Sequence, residues 1–276
     1  MSDPRLTLRC GDVADARLEG VVEAARYEVT RPMRCIATSA AIRKAADAAS
    51  EQQDQLVFGE AFDVLEAEGD FAFGQARRDG YVGWVEASAL TEGALSPTHW
   101  VSARSTLAFT KPDLKSPPAM ALTMNSLAVV DGREGRFAHV EGAGWVPEAH
   151  ISPIAEYQDD PAAVALRFRG APYFWGGRES VGLDCSGLVQ QAHYACGLPS
   201  ARDTDMQASL GAPVEASALR RGDLVFWKGH VGMMADGETL LHANAHHMAT
   251  EGEPLSAAIE RVAAAGAGQP VGFRRV

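Results

Sequence analysis

An α+β fold is predicted by three observations. A helical pattern opens at Cys185, an antiparallel meander follows it, and the first half of the chain holds two short-strand segments that end in the same way. The chain has 276 residues, 46% of them hydrophobic and 22% charged, enough for two or three small domains with cores of their own. A net charge of −11 argues against nucleic acid and anionic membrane surfaces as partners, while leaving room for a small substrate with an amino group.

In chain order, Met1-Ser2-Asp3-Pro4-Arg5-Leu6 carries an early acid and no apolar run of signal-peptide length. No stretch of about 18 uninterrupted apolar residues follows, so a cytoplasmic location is expected. The segments Gly80-Tyr81-Val82-Gly83-Trp84-Val85-Glu86-Ala87 and Gly142-Ala143-Gly144-Trp145-Val146-Pro147-Glu148-Ala149 echo one another. Short alternating runs precede each, 61–65 with 71–75 and 126–130 with 136–140. Glu68-Gly69-Asp70 and Asp131-Gly132 read as the turns between them. This spacing predicts two small β-barrels about sixty residues apart. Lys111-Pro112 and Ser116-Pro117-Pro118 read as loops in the second, and Ser152-Pro153 as its exit. The expected organisation is an N-terminal segment 1–30, barrels over 31–92 and 93–155, and a further domain over 156–276.

Asp160-Pro161 reads as the cap and first residue of a helix carrying Val164, Leu166 and Phe168. Leu188, Val189, Ala192 and Ala195 recur at helical spacing after Cys185, with Gly197 and Pro199 as stops and Asp184 as N-cap. Leu224 to Trp227, His230 to Met234 and Thr239 to His242 read as strands, turned at Lys228-Gly229 and Asp236-Gly237. Residues 257–265 read as a short helix and Val271-Gly272-Phe273 as a last strand.

A cysteine in the first turn of a helix meets unpaired N–H groups and the positive end of the dipole, which favour thiolate. A histidine from elsewhere in the fold takes the proton, and a third polar group orients that histidine. The competing reading of Cys185 is a buried structural thiol. A capped helix start, Gly187 beside the thiol and Gly176-Gly177 upstream favour the reactive reading. Cys185 and Cys196 are eleven positions apart, about 16 Å along one helix, beyond the roughly 7 Å that a disulfide spans. His230 and His242 lie on either side of one hairpin. A two-residue loop turns them to opposite faces, whereas a three- or five-residue loop or a bulge puts both rings on one face, and this second arrangement is expected. His246 and His247 lack a Cys or carboxylate at ligand spacing, so no metal and no other cofactor is expected.

Tyr173-x-Trp175-Gly176-Gly177, Asp184-Cys185-Ser186-Gly187-Leu188-Val189, Arg221-Gly222-Asp223-Leu224-Val225-Phe226, Gly229-His230-Val231-Gly232 and Leu241-His242-Ala243 stand in this order over about residues 156–276. In this the chain resembles the NlpC/P60 cysteine peptidases, and the two Gly-Trp-Val segments resemble bacterial SH3 domains. The resemblance implies a papain-like domain after two SH3-like barrels. It implies Cys185 as nucleophile, His230 as base and acid, His242 as its orienting residue, and Tyr173 with the Cys185 backbone N–H as oxyanion donors. It further implies cleavage of the γ-D-glutamyl–diaminopimelate bond of small murein peptides with a free N-terminal L-Ala, in cell-wall recycling. Asp203, in Arg202-Asp203-Thr204-x-x-Gln207, and Glu60 and Tyr81 of the first barrel are the implied contacts to the free amine, with Trp175 and Ser186 as further substrate contacts. An amidase or acyltransferase on the same Cys-His scaffold, or a wall-peptide binding module, are the alternatives.

Overall fold

The computed structural model describes residues 3–276, which divide into two units between Ile154 and Ala155. Met1 and Ser2, the start of the segment read for an export signal, lie outside the described residues.

In the first unit a seven-stranded sheet runs in the order Leu90–Glu92, Arg31–Cys35, Ala61–Glu68, Phe71–Ala76, Val82–Glu86, Ser39–Arg43, Gln52–Val57. Alternation along these strands sends Phe62, Val64, Ile42 and Leu56 into one core. Leu65, Phe73, Val82 and Trp84 instead pack with Leu8 and Val13 of the N-terminal segment, which forms a small sheet of its own over Arg9–Cys10, Val13–Asp15 and Arg26–Glu28. A second set follows, with a five-stranded sheet (Pro118–Thr123, Ser105–Phe109, Gly144–Pro147, Phe137–Val140, Val130–Glu134) and a three-stranded one (Leu127–Ala128, His99–Val101, Ile151–Pro153). Its core holds Val101, Ala108, Leu122, Val140 and Val146, and takes in Phe58 from the first set.

The echo has a common cause in both sets. Trp84 pairs with Phe73 on one side and Arg43 on the other, and Trp145 pairs in the same way with His139 and Phe109. The glycine before each tryptophan lies where a neighbouring strand crosses closely. A Cβ on Gly83 would stand 2.6 Å from Ile42 Cγ2, and one on Gly144 2.6 Å from the Phe109 carbonyl oxygen. Gly144 also has φ +113°, which side chains other than hydrogen rarely adopt.

Two turn assignments differ from expectation. Asp131-Gly132 lies inside the Val130–Glu134 strand, where a bulge absorbs it, and the reversal occurs at Gly135, with φ +60°. Asp131 is held there by His139 Nδ1 at 2.6 Å, so its carboxylate serves a cross-strand contact and not a turn. Pro118, read as loop, opens the end strand Pro118–Thr123, a position where a missing N–H costs nothing.

In the second unit, Asp160 accepts from the N–H groups of Ala162 at 2.9 Å and Ala163 at 3.1 Å and so starts the Pro161–Leu166 helix. The Cys185–Ala195 helix is buried along its whole length and packs on the His230–Met234 and Thr239–Asn244 strands. Those belong to a six-stranded sheet ordered Ala212–Pro213, Gly272–Arg275, Leu224–Trp227, His230–Met234, Thr239–Asn244, Ala249–Pro254. The last helix, Leu255–Ala264, joins Val225, Trp227, Met234 and Leu240 in a further cluster through Ala258.

Substituting Gly144→Ala is expected to lower the stability of the first unit by about 2 kcal/mol or more, because the φ and the Phe109 carbonyl both oppose a side chain. Denaturant unfolding followed by tryptophan fluorescence measures this, and an unchanged midpoint would show that the close approach is dispensable.

Candidate active site

The site is built around Asp184. As N-cap, its Oδ1 accepts the Gly187 N–H at 2.7 Å and starts the helix that presents Cys185. Its Oδ2 accepts the Gly176 N–H at 2.9 Å, which ties the Tyr173–Gly177 loop to the same carboxylate. Arg202 then grips both oxygens, Nη1 to Oδ1 at 3.0 Å and Nη2 to Oδ2 at 2.6 Å, and its Nη1 also donates to Ser186 Oγ at 2.9 Å. Arg202 is 1% exposed, so this fork is dry. One carboxylate therefore fixes a loop, a helix start and a distant arginine.

Cys185 is buried, and its thiol is pushed up to about 11, first by burial and then by the Asp184 charge. The Val231 backbone N–H, Thr204 Oγ1 at 3.8 Å and Arg202 act in the opposite direction but do not outweigh burial. The expected thiolate-favouring helix start is present, and desolvation overrides it. Burial thus favours the neutral thiol against the helix start.

The hairpin register settles the histidine geometry. Met234 pairs with Leu240, which encloses the five residues 235–239 and puts His230 and His242 on one face. His230 Nε2 lies 2.8 Å from His242 Nδ1. Gly232 makes this possible, since a Cβ there would come within 2.7 Å of Leu240 Cδ1 and 3.1 Å of His242 Cβ. The Trp227 ring stands 5.8 Å from that of His230. Burial first, and then the positive charge His242 would carry if protonated, hold His230 well below the ordinary imidazole value, which favours its neutral form.

Behind His242 the chain of contacts continues beyond what the sequence suggested. His242 Nε2 lies 2.7 Å from Glu253 Oε1, and Arg261 donates to the same carboxylate oxygen. Burial opposes the Glu253 charge, yet the Arg261 and His242 hydrogen bonds prevail and keep the carboxyl below its usual range. The His242, His247 and Glu253 ligand atoms all lie within 4.8 Å of one another. His242 and Glu253 are already hydrogen-bonded to each other and Arg261 donates to the same Glu253 oxygen, so this oxygen is engaged by two donors. A cavity of about 190 Å³ opens on this face, lined by Trp227, Lys228, His230, His242 and Arg261 among others.

The remaining expected site residues fall as follows. Tyr173 is half-buried; burial raises its phenol, with Cys185 and Asp184 as charged neighbours. Trp175 is exposed at 59%. The Ser186 hydroxyl is engaged between Asp184 and Arg202. Asp203 precedes the short Thr204–Gln207 helix without capping it through its side chain. Glu60 and Tyr81 belong to the first unit, where Glu60 is buried, accepts from Val57 N and pairs with Arg78 at 2.9 Å. Tyr81 packs in the core with Cys35, Ile42 and Phe62. Arg202, Glu253 and Arg261 were not foreseen as partners. A local signal existed for Arg202 alone, in its place beside Asp203.

Residues 170–261 match the NlpC/P60 family, and residues 42–90 match the bacterial dipeptidyl-peptidase Sh3 domain. The chain thus carries an NlpC/P60 domain and a bacterial SH3 domain. It is 27% identical to a γ-D-glutamyl-L-lysine dipeptidyl-peptidase of Bacillus subtilis (strain 168), over 69% of this chain and 72% of that protein. A probable endopeptidase of Corynebacterium glutamicum (strain R) is 39% identical over 33% of this chain and 49% of its own length. The crystal structure of an NlpC/P60 family protein from Bacillus cereus superposes with a TM-score of 0.77 at 19% identity, covering 88% of this chain and 99% of that one, which shows a shared fold. Among the described residues no helix is long and apolar enough to cross a membrane.

Replacing Arg202→Met leaves the Asp184 carboxylate buried without its counter-ion, and a loss of about 3–5 kcal/mol is expected in urea unfolding of the second unit. A loss below 1 kcal/mol would mean that water, not the guanidinium, satisfies Asp184.

Proposed function

We propose that this protein is a cysteine peptidase that hydrolyses the γ-D-glutamyl–diamino acid bond of small murein peptides with a free N-terminal L-Ala. The observation that carries the reading is the buried Cys185 at a capped helix start, in a chain whose neighbouring sheet joins His230 to His242 at 2.8 Å. The NlpC/P60 match and relatives named for γ-D-glutamyl-L-lysine dipeptidyl-peptidase activity support the class of substrate.

In this reading the pair rests neutral, because burial raises the Cys185 thiol and lowers the His230 imidazole. Attack on the γ-amide carbonyl is then coupled to transfer of the thiol proton to His230. The tetrahedral oxyanion is met by the Cys185 backbone N–H and the Tyr173 hydroxyl, donors of a kind worth roughly 2.7–4 kcal/mol each. His230 returns the proton to the departing amine, and water, deprotonated by the same ring, clears the thioester. His242 holds the ring throughout. Asp203 receives the substrate ammonium, and a blocked or longer N-terminus forfeits that charge contact and meets the closed end of the cleft, which excludes such peptides.

Two outcomes check this. Cys185→Ala abolishes release of the diamino acid from L-Ala-γ-D-Glu-diaminopimelate, whereas N-acetylation of that peptide lowers kcat/KM by about a hundredfold, read by mass spectrometry of products. Equal turnover of both peptides would contradict the exclusion by Asp203. In the second test, the acid limb of kcat/KM falls below pH 6.5, the ordinary imidazole value, because a lowered pKa keeps His230 unprotonated to more acidic pH. An acid limb above that value would show a histidine stabilised as its cation.

A further inference from the structure

We infer that Glu253 is a positioning residue that selects, through His242, the tautomer of His230 in which Nδ1 is free to act as base, with Arg261 as its counterweight. The inference rests on the peptidase reading for its consequence but on hydrogen-bond geometry for its content.

Only one assignment of protons satisfies every contact when Glu253 is ionised and both imidazoles are neutral. A carboxylate can only accept, so His242 must donate from Nε2 across the 2.7 Å contact to Oε1. A neutral His242 then has a bare Nδ1, which must accept. The partner across the 2.8 Å contact is His230 Nε2, which therefore carries the hydrogen. A neutral His230 is left with its lone pair on Nδ1, the nitrogen not used by His242. The arrangement is a four-member line from Arg261 through Glu253 and His242 to His230. The direction of every hydrogen bond in it is set at the charged end. Without a carboxylate at that end, both directions of the His230–His242 bond are available, and one of them caps Nδ1 of His230 with hydrogen.

The local fold makes this line rigid. Glu253 stands near the end of the Ala249–Pro254 strand, and the next element, the Leu255–Ala264 helix, brings Arg261 back onto it. His242 is 1% exposed and His230 half-buried, so the His242 bonds at the centre of the line are shielded from solvent. The charges that face the pair are Asp184 from the Cys185 helix, Glu253 and Arg261 from the final strand and helix, His247 from the loop after His242, and Lys228 in the turn before His230. Glu251, directly across the ladder from His242, is engaged by Arg169 at 3.2 Å. Glu253 makes His230 a stronger base and Arg261 makes it a weaker one, so the two substitutions have opposite signs.

The test uses the full chain and three variants, Glu253→Gln, Glu253→Asp and Arg261→Met. Each is read by imidazole nitrogen-15 shifts, by the pH dependence of Cys185 alkylation with iodoacetamide, and by kcat and KM on the free-amine peptide. Wild type is expected to show the Nε2–H tautomer at both rings. Glu253→Gln can present an N–H to His242 and reverse the line. It is expected to convert His230 partly to the Nδ1–H form, move the acid limb of alkylation to lower pH, and reduce kcat about tenfold or more with KM within about twofold. Glu253→Asp keeps the acceptor and restores the wild-type tautomer. Arg261→Met moves the acid limb to higher pH, which also covers the case of a Glu253→Gln protein that does not fold. Unchanged tautomers and acid limbs in Glu253→Gln, or limbs moving the same way in Glu253→Gln and Arg261→Met, would overturn the inference. Absence of peptide turnover by wild type, with the tautomer and alkylation changes present, would instead overturn the substrate reading and leave this one standing.

Discussion

The Asp184–Arg202 fork is the constraint on which the second unit depends. It joins segments 18 positions apart in the chain, and the same carboxylate also receives the Gly176 and Gly187 N–H groups. A carboxylate buried without such partners would neutralise itself or open the site to water. With them, it is a junction that fixes where the helix begins, and hence where Cys185 stands. The Tyr173–Gly177 loop cannot be displaced without breaking a bond to the same group. Positioning of Cys185 and of the loop beside it is therefore one structural event.

Burial decides the resting chemistry. A helix start contributes about 0.3–1 kcal/mol toward an anion, and up to about 2 in partly buried geometries. Moving the thiol up to about 11 from 9.0 corresponds to more than that, on about 1.4 kcal/mol per unit. The dipole, Val231 N–H and Arg202 therefore reduce the desolvation cost without reversing it. The imidazole is shifted in the complementary direction by the same cause. A neutral pair suits the proposed reaction, in which the proton moves as the bond forms, because neither partner must first be charged where burial disfavours charge.

Sequence reasoning reached the parts whose causes are local. The Asp184 and Asp160 caps, the Cys185 helix and the Gly-before-Trp positions follow from residues within a few places of one another. The odd loop between His230 and His242 was readable because strand parity is a counting argument. What escaped were side chains whose partners come from other elements. Arg202, Glu253 and Arg261 look like ordinary surface charges until the fold brings them 18, 11 and 8 positions across to Asp184, His242 and Glu253. Asp131-Gly132 misled for a related reason, since a turn-forming pair was used for a bulge and a histidine contact. The N-terminal segment, without a motif, became legible only as the other half of the Leu65–Phe73–Trp84 cluster.

A common rule links the two ends of the site. Each carboxylate that orients a reactive group carries its own arginine, Asp184 with Arg202 and Glu253 with Arg261. Two unit charges about 4 Å apart interact by about 4 kcal/mol at an effective dielectric of 20, so a bare carboxylate beside the thiol would suppress its ionisation severely. Pairing with a guanidinium offsets part of that field, although Asp184 still acts on the Cys185 thiol more strongly than Arg202 does. The acceptor geometry, which acts only at contact, survives. The site thus keeps the directional part of two carboxylates while tempering their charge, which suits the proposed exchange of one proton between Cys185 and His230.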